Sequence, residues 1–87
     1  MALQFFKDKL AGGGVAIKRT IVNGAAAATN IAVAGAAADA KLVAVIMFTA
    51  GVPSDVTADA TIVNGNLKLA VTNSTGNKLD VHWAQAA

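Results

Sequence analysis

Residues 57–83, with the sequence TADATIVNGNLKLAVTNSTGNKLDVHW, decide the fold class of this chain. Two strand-like runs, 57–63 and 66–72, flank the dipeptide Asn64-Gly65. Asparagine and glycine tolerate positive φ angles, and a type I′ turn requires two such residues in succession. The segment therefore predicts a β-hairpin whose turn lies at these two positions.

A third strand is predicted at 78–83, after the turn-forming loop 73–77, because apolar and polar side chains alternate along it. Strict alternation indicates a strand with one buried face and one face in solvent. The apolar face carries Leu79, Val81 and Trp83. The polar face carries Lys78, Asp80 and His82. Trp83 is thus expected in the core, and the alternative is an anchor at an interface.

Further strands are predicted upstream, because β-branched alternation recurs at 15–22, at 29–35 and at 41–50. The run 42–48 is apolar on both faces, so it needs either a layer on each side or an intermolecular interface on one side. Turn signals recur about every 10–12 residues, a spacing typical of sandwiches and barrels. We expect an all-β fold, a small antiparallel β-sandwich or barrel of six to seven strands.

The connecting segments are predicted from their turn-forming residues. Asn23-Gly24 predicts a turn after the first strand. The alanine-rich segment 36–40 predicts either one helical turn or a loop. Residues 51–55, which contain the single proline of the chain, predict a loop.

The chain divides into an N-terminal arm at 1–11, a glycine hinge at 12–14 and a β domain at 15–87. The arm has apolar residues at the i, i+3, i+7 spacing of one face of a short helix, and an extended arm is the alternative. Three consecutive glycines have no preferred conformation, which predicts the hinge. The arm residues predicted to bind a partner or an adjacent copy are Leu3, Phe5, Phe6 and Leu10. For Phe5 and Phe6 the alternative is that the arm folds back and packs them against the chain's own β domain.

Composition points to assembly. Hydrophobic residues make up 55% of the 87 residues, 21 of them alanine, whereas charged residues make up only 14%. This balance excludes intrinsic disorder, and the lack of cysteine excludes a disulfide framework. A domain this small buries only about 60% of its unfolded surface, so apolar groups are expected outside the monomer. We expect a homo-oligomer.

Charge and hydropathy argue against two other classes of partner. The net charge of +2 is scattered rather than gathered in a basic stripe with stacking aromatics, so no nucleic-acid partner is expected. No apolar run approaches the length of about 20 residues that a spanning helix needs, so no membrane partner is expected either.

No motif in the sequence indicates catalysis. His82 is the single histidine and lies on a predicted solvent face, without a second ligand at metal-binding spacing. Ser54 and Ser74 lie in predicted loops outside any nucleophile-elbow pattern. Asp55 and Asp59 lack the further oxygen ligands of a calcium loop, so we expect them to cap a loop. We therefore expect no enzyme, no cofactor and no metal.

Residues 30–83 resemble small structural proteins of tailed-phage heads, most closely the head decoration, or cement, proteins. The resemblance rests on four quoted stretches. They are Ile31-Ala32-Val33-Ala34-Gly35, Leu42-Val43-Ala44-Val45-Ile46-Met47-Phe48, Thr61-Ile62 and Thr72-Asn73-Ser74-Thr75-Gly76-Asn77-Lys78-Leu79-Asp80-Val81-His82-Trp83. These are strand and turn patterns and include no catalytic signature.

The resemblance implies a structural virion protein that binds the major capsid protein on the outer surface of a phage head and stabilises it by bridging capsid subunits. It also implies synthesis in the host cytoplasm, a trimer and no enzymatic activity. Three alternatives stay open. They are another virion component such as a head fibre base, tail or coat subunit, a carbohydrate-binding β-sandwich module, and a small enzyme in which aspartates and His82 converge.

Overall fold

The computed structural model describes residues 15–87, so the predicted arm and hinge lie outside the described residues. Seven strands and one short 3₁₀ turn, Thr57–Asp59, make up the regular structure of this part of the chain. The strands are β1 (Val15–Asn23), β2 (Ile31–Ala32), β3 (Lys41–Thr49), β4 (Val52–Asp55), β5 (Ala60–Val63), β6 (Asn66–Leu69) and β7 (Lys78–Ala86). The predicted all-β class and the predicted number of strands are confirmed.

The strands form two antiparallel sheets. The large sheet has the order β1-β7-β3-β4, and the small sheet has the order β2-β6-β5. The two sheets do not close into one cylinder, so the architecture is a sandwich and not a barrel. The large sheet is assembled from the two ends and the middle of the described chain, since β7 pairs with β1 on one side and with β3 on the other.

The core lies between the two sheets. From the large sheet, β7 supplies Leu79, Val81 and Trp83, all at most 1% exposed, as its alternation predicted. The small sheet supplies Leu67 and Leu69 from β6, which are equally buried. Burial of such side chains stabilises the fold by about 1.5–3 kcal/mol each. Trp83 is therefore a core residue, and the interface-anchor interpretation is wrong.

Trp83 also has a polar partner inside the fold. Its indole Nε1 donates a hydrogen bond of 2.8 Å to Oε1 of Gln85, which accepts a second bond of 2.8 Å from the backbone N–H of Ala37. These bonds fix the segment 36–40 over the end of β7. The segment is a loop, so the loop that was predicted for it is confirmed and the helical turn is wrong.

Two hairpin turns have the same backbone form. Asn64 and Gly65 have φ angles of 51° and 78°, which confirms the predicted type I′-like turn between β5 and β6. Ala50 and Gly51 have φ angles of 51° and 83° and form a second such turn. This turn brings Val52–Asp55 back against β3 as strand β4, so the loop predicted at 51–55 is wrong. Alanine at the first turn position concealed the signal, because it rarely adopts positive φ.

Other predicted bounds also change. The strand predicted at 29–35 shrinks to β2, and the strand predicted at 57–63 begins with the 3₁₀ turn. The strand predicted at 66–72 ends at Leu69, and the strand predicted at 78–83 extends to Ala86. The turn at Asn23-Gly24 does not reverse the chain into a hairpin, because β1 pairs with β7 and the chain crosses to the other sheet. The Gly24 N–H instead donates to the backbone oxygen of Asn77, at 2.9 Å.

Candidate interaction surface

The face of the large sheet that points away from the small sheet is called here the outer face. Ile17 and Ile21 of β1 lie on it with 62% and 56% of their surface exposed. Ile46 and Phe48 of β3 lie on the same face and are half-buried. Within residues 15–87 the small sheet covers the opposite side, so no described layer covers these four side chains.

Strand β3 accounts for the two-faced run predicted from the sequence. Its inner face carries Val45, which is fully buried against β7, and its outer face carries Ile46 and Phe48. A β-bulge between Leu42 and Ala44 shifts the register by one residue. The bulge leaves Val43 46% exposed, although it lies between two half-buried neighbours.

A polar cluster of Arg19, Asp80 and His82 lies in the middle of this apolar face. The Arg19 Nε lies 2.8 Å from Asp80 Oδ1, and the His82 Nε2 lies 3.2 Å from the same oxygen. The Asp80 side chain is only 10% exposed, whereas those of His82 and Arg19 are 35% and 60% exposed. The carboxylate is thus the buried centre of the cluster.

Strand register explains how the cluster forms. Arg19 lies directly opposite His82 in the β1–β7 pair. Asp80 lies opposite Ile21 on one side and opposite Ile46 on the other, so two large apolar neighbours exclude water from it. Buried carboxylates are retained when a cation and hydrogen-bond donors compensate them, and Arg19 is the residue that does so here.

The electrostatics follow from these contacts. The hydrogen bond from Arg19 lowers the pKa of Asp80, burial opposes this effect, and the contact with His82 adds to it. The same hydrogen bond raises the pKa of Arg19. Asp80 is therefore ionised at neutral pH, and the outer face presents a charge pair that is largely neutralised within the chain.

A second surface lies on the small sheet, on the side away from the core. Here an open groove of about 280 Å³ is lined mainly by polar residues. They are Asn30, Thr61, Val63, Asn64, Asn66 and Lys68. Amide and hydroxyl groups of this kind bind ligands through hydrogen bonds, whereas an aromatic stacking platform is not part of this lining.

The loop aspartates do what the sequence predicted. Asp55 accepts hydrogen bonds from the hydroxyl and the backbone N–H of Thr57, at 2.6 and 2.9 Å, and these bonds lower its pKa. Asp59 accepts from the backbone N–H groups of Val71 and Thr72. Both carboxylates therefore fix backbone at the ends of strands.

Ser74 is a buried structural residue of the loop before β7. Its hydroxyl accepts a hydrogen bond from the backbone N–H of Ala25, at 2.9 Å, and donates to the carbonyl oxygen of the same residue, at 3.1 Å. Among residues 15–87 no three histidine, aspartate or other metal-ligating side chains gather as an ion site would require.

The residues predicted to bind a partner, Leu3, Phe5, Phe6 and Leu10, lie outside the described residues. The structure instead brings together Arg19 and Asp80, which are 61 positions apart in the sequence. Alternation had placed Asp80 with His82 on one face of a strand. It could not indicate that β1 and β7 are neighbours, which places Arg19 on the same surface.

Comparison with known protein families, with curated proteins and with solved structures finds no match to this chain. In the part of the chain that the structure describes, no helix has the length and hydropathy needed to cross a bilayer.

Proposed function

We propose that the chain is a structural virion protein that decorates the outer surface of a tailed-phage head, where it binds the major capsid protein and bridges neighbouring subunits. The observation that carries the proposal is the outer face, an apolar sheet surface that residues 15–87 leave uncovered around an internally neutralised ion pair. Surfaces of this type serve contact between proteins. The resemblance of residues 30–83 to head decoration proteins names the kind of assembly.

The remainder of the chain supports the same role. The quoted stretches of the resemblance fall on β2, β3, β5 and β7 and on the loop before β7, which form the body of the sandwich. Seven basic and five acidic residues leave few charges to be desolvated when surfaces join. Synthesis in the host cytoplasm followed by incorporation on the capsid surface is the corresponding location.

The N-terminal arm is the proposed capsid anchor. It contributes Leu3, Phe5, Phe6 and Leu10, and it is joined to the β domain by the glycine hinge at 12–14. Two linked contacts, one by the arm and one by the β domain, raise the overall affinity through effective concentration. Decoration of this kind needs many weak sites that act together and no catalytic centre.

The test uses heads purified from a phage whose genome encodes the chain, stripped of this protein and incubated with purified variants. Removal of residues 1–11 should abolish co-sedimentation with the heads and leave the β circular dichroism signal intact. The substitution Phe5→Ala with Phe6→Ala should weaken it, and the surface substitution Val71→Ala should not. Unchanged binding of the truncated chain would refute the role of the arm, and failure of the native chain to bind would refute decoration.

The polar groove on the small sheet favours one second candidate, a carbohydrate-binding module. Trp83 and Phe48 cannot stack on a sugar bound in this groove, because Trp83 is buried and Phe48 lies on the other sheet. Asn64, Asn66 and Lys68 would supply the hydrogen bonds instead. Binding on a glycan array that is lost in Asn66→Ala and kept in Val71→Ala would support this candidate.

A further inference from the structure

The large sheet has two edges of very different character. One edge is β4, which has four residues and contains Pro53, a residue without a backbone N–H. The other edge is β1, which has nine residues, several of them β-branched, and no proline or glycine. Short edges that contain proline resist pairing with another chain, whereas long regular edges invite it.

Within the described residues β1 pairs with β7 alone, so its second side is a free row of backbone donors and acceptors. Two large apolar side chains lie exposed beside this edge. Ile17 and Ile21 are both more than half exposed, and they lie two positions on either side of Arg19. At these two positions, and at the apolar positions 16 and 22, the strand has the same character when it is followed in either direction from Arg19.

We propose that two copies of this chain join through their β1 edges, antiparallel and centred on Arg19, to form one continuous eight-stranded sheet. A two-fold axis perpendicular to the sheet keeps both outer faces on the same side. In this register Ile17 lies opposite Ile21 of the second copy, and Ala16 lies opposite Val22. Cross-strand apolar pairs of this kind each stabilise a sheet by about 0.2–1 kcal/mol.

The charges select this register over its neighbours. Arg19 lies opposite Arg19 of the second copy, but each guanidinium is already paired with its own Asp80 at 2.8 Å. Lys18, which has no such partner on its strand neighbours, lies opposite Thr20. A shift of the axis to Lys18 would place two lysines opposite each other, which is unfavourable. A shift to Thr20 would separate Ile17 from Ile21 and place Ile17 opposite the polar Asn23, whereas the proposed register pairs Asn23 with Val15 at the end of the strand.

The inference deepens the proposed function, on which it partly rests, because it names a second copy as the partner of the β1 edge, beside the outer face. The pair would carry two N-terminal arms and would therefore bind a capsid bivalently. An isologous contact closes at two copies, whereas the resemblance to decoration proteins implies three. The test is made on the purified full-length chain without phage particles, so its failure is distinguishable from failure of capsid binding.

The lack of cysteine makes a cross-linking test direct. Directly opposite residues of an antiparallel pair have Cα atoms about 4.5–5.5 Å apart, within the range of a disulfide. Arg19→Cys should form a covalent dimer on mild oxidation, as should the double variant Ile17→Cys with Ile21→Cys, which retains the Arg19–Asp80 pair. Ile17→Cys alone should not, because its two copies would lie about 13 Å apart along the strands.

The matched control for cross-linking is Val63→Cys, which is 64% exposed on the small sheet and should stay monomeric on a non-reducing gel. Equal cross-linking of Val63→Cys and the β1 variants would overturn the proposal. So would efficient cross-linking of Ile17→Cys alone, since it requires another register. A circular dichroism spectrum of each variant shows that the fold is kept.

Solution mass supplies the second measurement. The native chain should have the mass of two copies, and Ile17→Lys with Ile21→Lys should raise the dissociation constant at least about tenfold by adding like charges at the contact. Val63→Lys with Val71→Lys adds the same charge at sites that are at least as exposed and should leave the dimer intact. A native mass of one or three copies would overturn the proposal, whether or not the removal of residues 1–11 changes that mass.

Discussion

At the scale of single residues, Gly24 shows why a glycine can matter without a positive φ angle. A Cβ atom at position 24 would lie 1.9 Å from the backbone oxygen of Ser74. That oxygen accepts a hydrogen bond from the Asn77 N–H, and Gly24 itself donates to the Asn77 oxygen, so the two segments are fixed together. The sequence suggested a turn glycine, whereas the structure requires glycine for this close approach.

We expect Gly24→Ala to destabilise the fold by about 3 kcal/mol, the upper part of the range for overpacking, because backbone and not a flexible side chain must move. Urea denaturation measures the loss. Gly76→Ala is the control, since its φ of 81° is unfavourable for alanine but a Cβ there meets no atom within 4 Å. It should cost only about 1 kcal/mol. Equal losses for the two variants would contradict the steric explanation.

Asp80 predicts a particular dependence of stability on pH. Its pKa is lowered in the folded state, chiefly by the hydrogen bond from Arg19, from an unfolded value of about 3.9. A lowered carboxyl pKa stabilises the fold above the unfolded pKa, and this contribution is lost as the pH falls through the folded pKa. The Asp80 contribution should therefore be complete at neutral pH and should fade below about pH 4.

We expect Asp80→Asn to lower the free energy of unfolding by about 1 kcal/mol at pH 7, because it removes a charged hydrogen bond to a partner that water can solvate instead. At pH 3 the variant and the native chain should differ less. Asp39→Asn removes one exposed negative charge elsewhere and serves as the control in denaturant titrations at both pH values. A difference that is independent of pH would contradict the assignment of the ion pair.

At the scale of elements, the interior of the large sheet needs a side chain to complete its hydrogen bonds. Strand β4 ends at Asp55, so its pairing with β3 stops before Val45. The hydroxyl of Thr57 then accepts the bond from the Val45 N–H, at 2.9 Å, and the Val56 N–H donates to the Val45 oxygen. The 3₁₀ turn thus continues the edge of the sheet without a strand.

Thr57→Val should destabilise the fold by about 1–3 kcal/mol, because the N–H of the fully buried Val45 loses its partner while the shape of the side chain is kept. Thr57→Ser keeps the hydroxyl and should cost less than 1 kcal/mol, about the worth of one methyl group. Amide hydrogen exchange at Val45 should speed up in the first variant alone. Equal amide exchange at Val45 in both variants would show that the hydroxyl of residue 57 is not the hydrogen-bond acceptor that protects this amide.

The elements that the sequence predicted well are those built from neighbouring residues. The Asn64-Gly65 turn and the faces of β7 depend on φ preferences and on side-chain alternation, which are local properties. Strand β4 was missed because its turn uses Ala50, and β2 was predicted too long because alternation continues where pairing does not. The β1–β7 pair joins residues about 60 positions apart, and no local preference encodes that choice.

The candidate surface follows the same division. The sequence placed Asp80 and His82 on one polar face in solvent. The structure confirms that they share a face, but the predicted solvent exposure is wrong for Asp80, which is buried. The sequence also indicated that the run 42–48 needs a cover on two sides. In the structure the core covers the inner side of β3, and Ile46 and Phe48 on the outer side have no cover within the described residues. Asp80 is buried because Ile21 and Ile46 lie beside it on two different strands. Its burial could therefore be predicted only once the order of the strands in the sheet was known.

At the scale of the whole molecule, the low charge of the chain and its exposed isoleucines have one common consequence. A sandwich of 73 described residues buries a modest core, and the outer face holds apolar area that no other part of residues 15–87 covers. When the β1 edge pairs with a second copy, Ile17 and Ile21 gain apolar neighbours and part of the folding free energy comes from association. Stability then depends on protein concentration by mass action, as it does in other dimers.

This coupling gives the last prediction. For two chains of this size that unfold as they dissociate, a tenfold rise in concentration should raise Tm by about 5 °C. The variant Ile17→Lys with Ile21→Lys should unfold at a Tm that does not change with concentration below its raised dissociation constant, because its unfolding there involves one chain. Val63→Lys with Val71→Lys should keep the native dependence. Differential scanning calorimetry over two decades of concentration measures all three, and a native Tm that is independent of concentration would show that the domain is stable without a second copy.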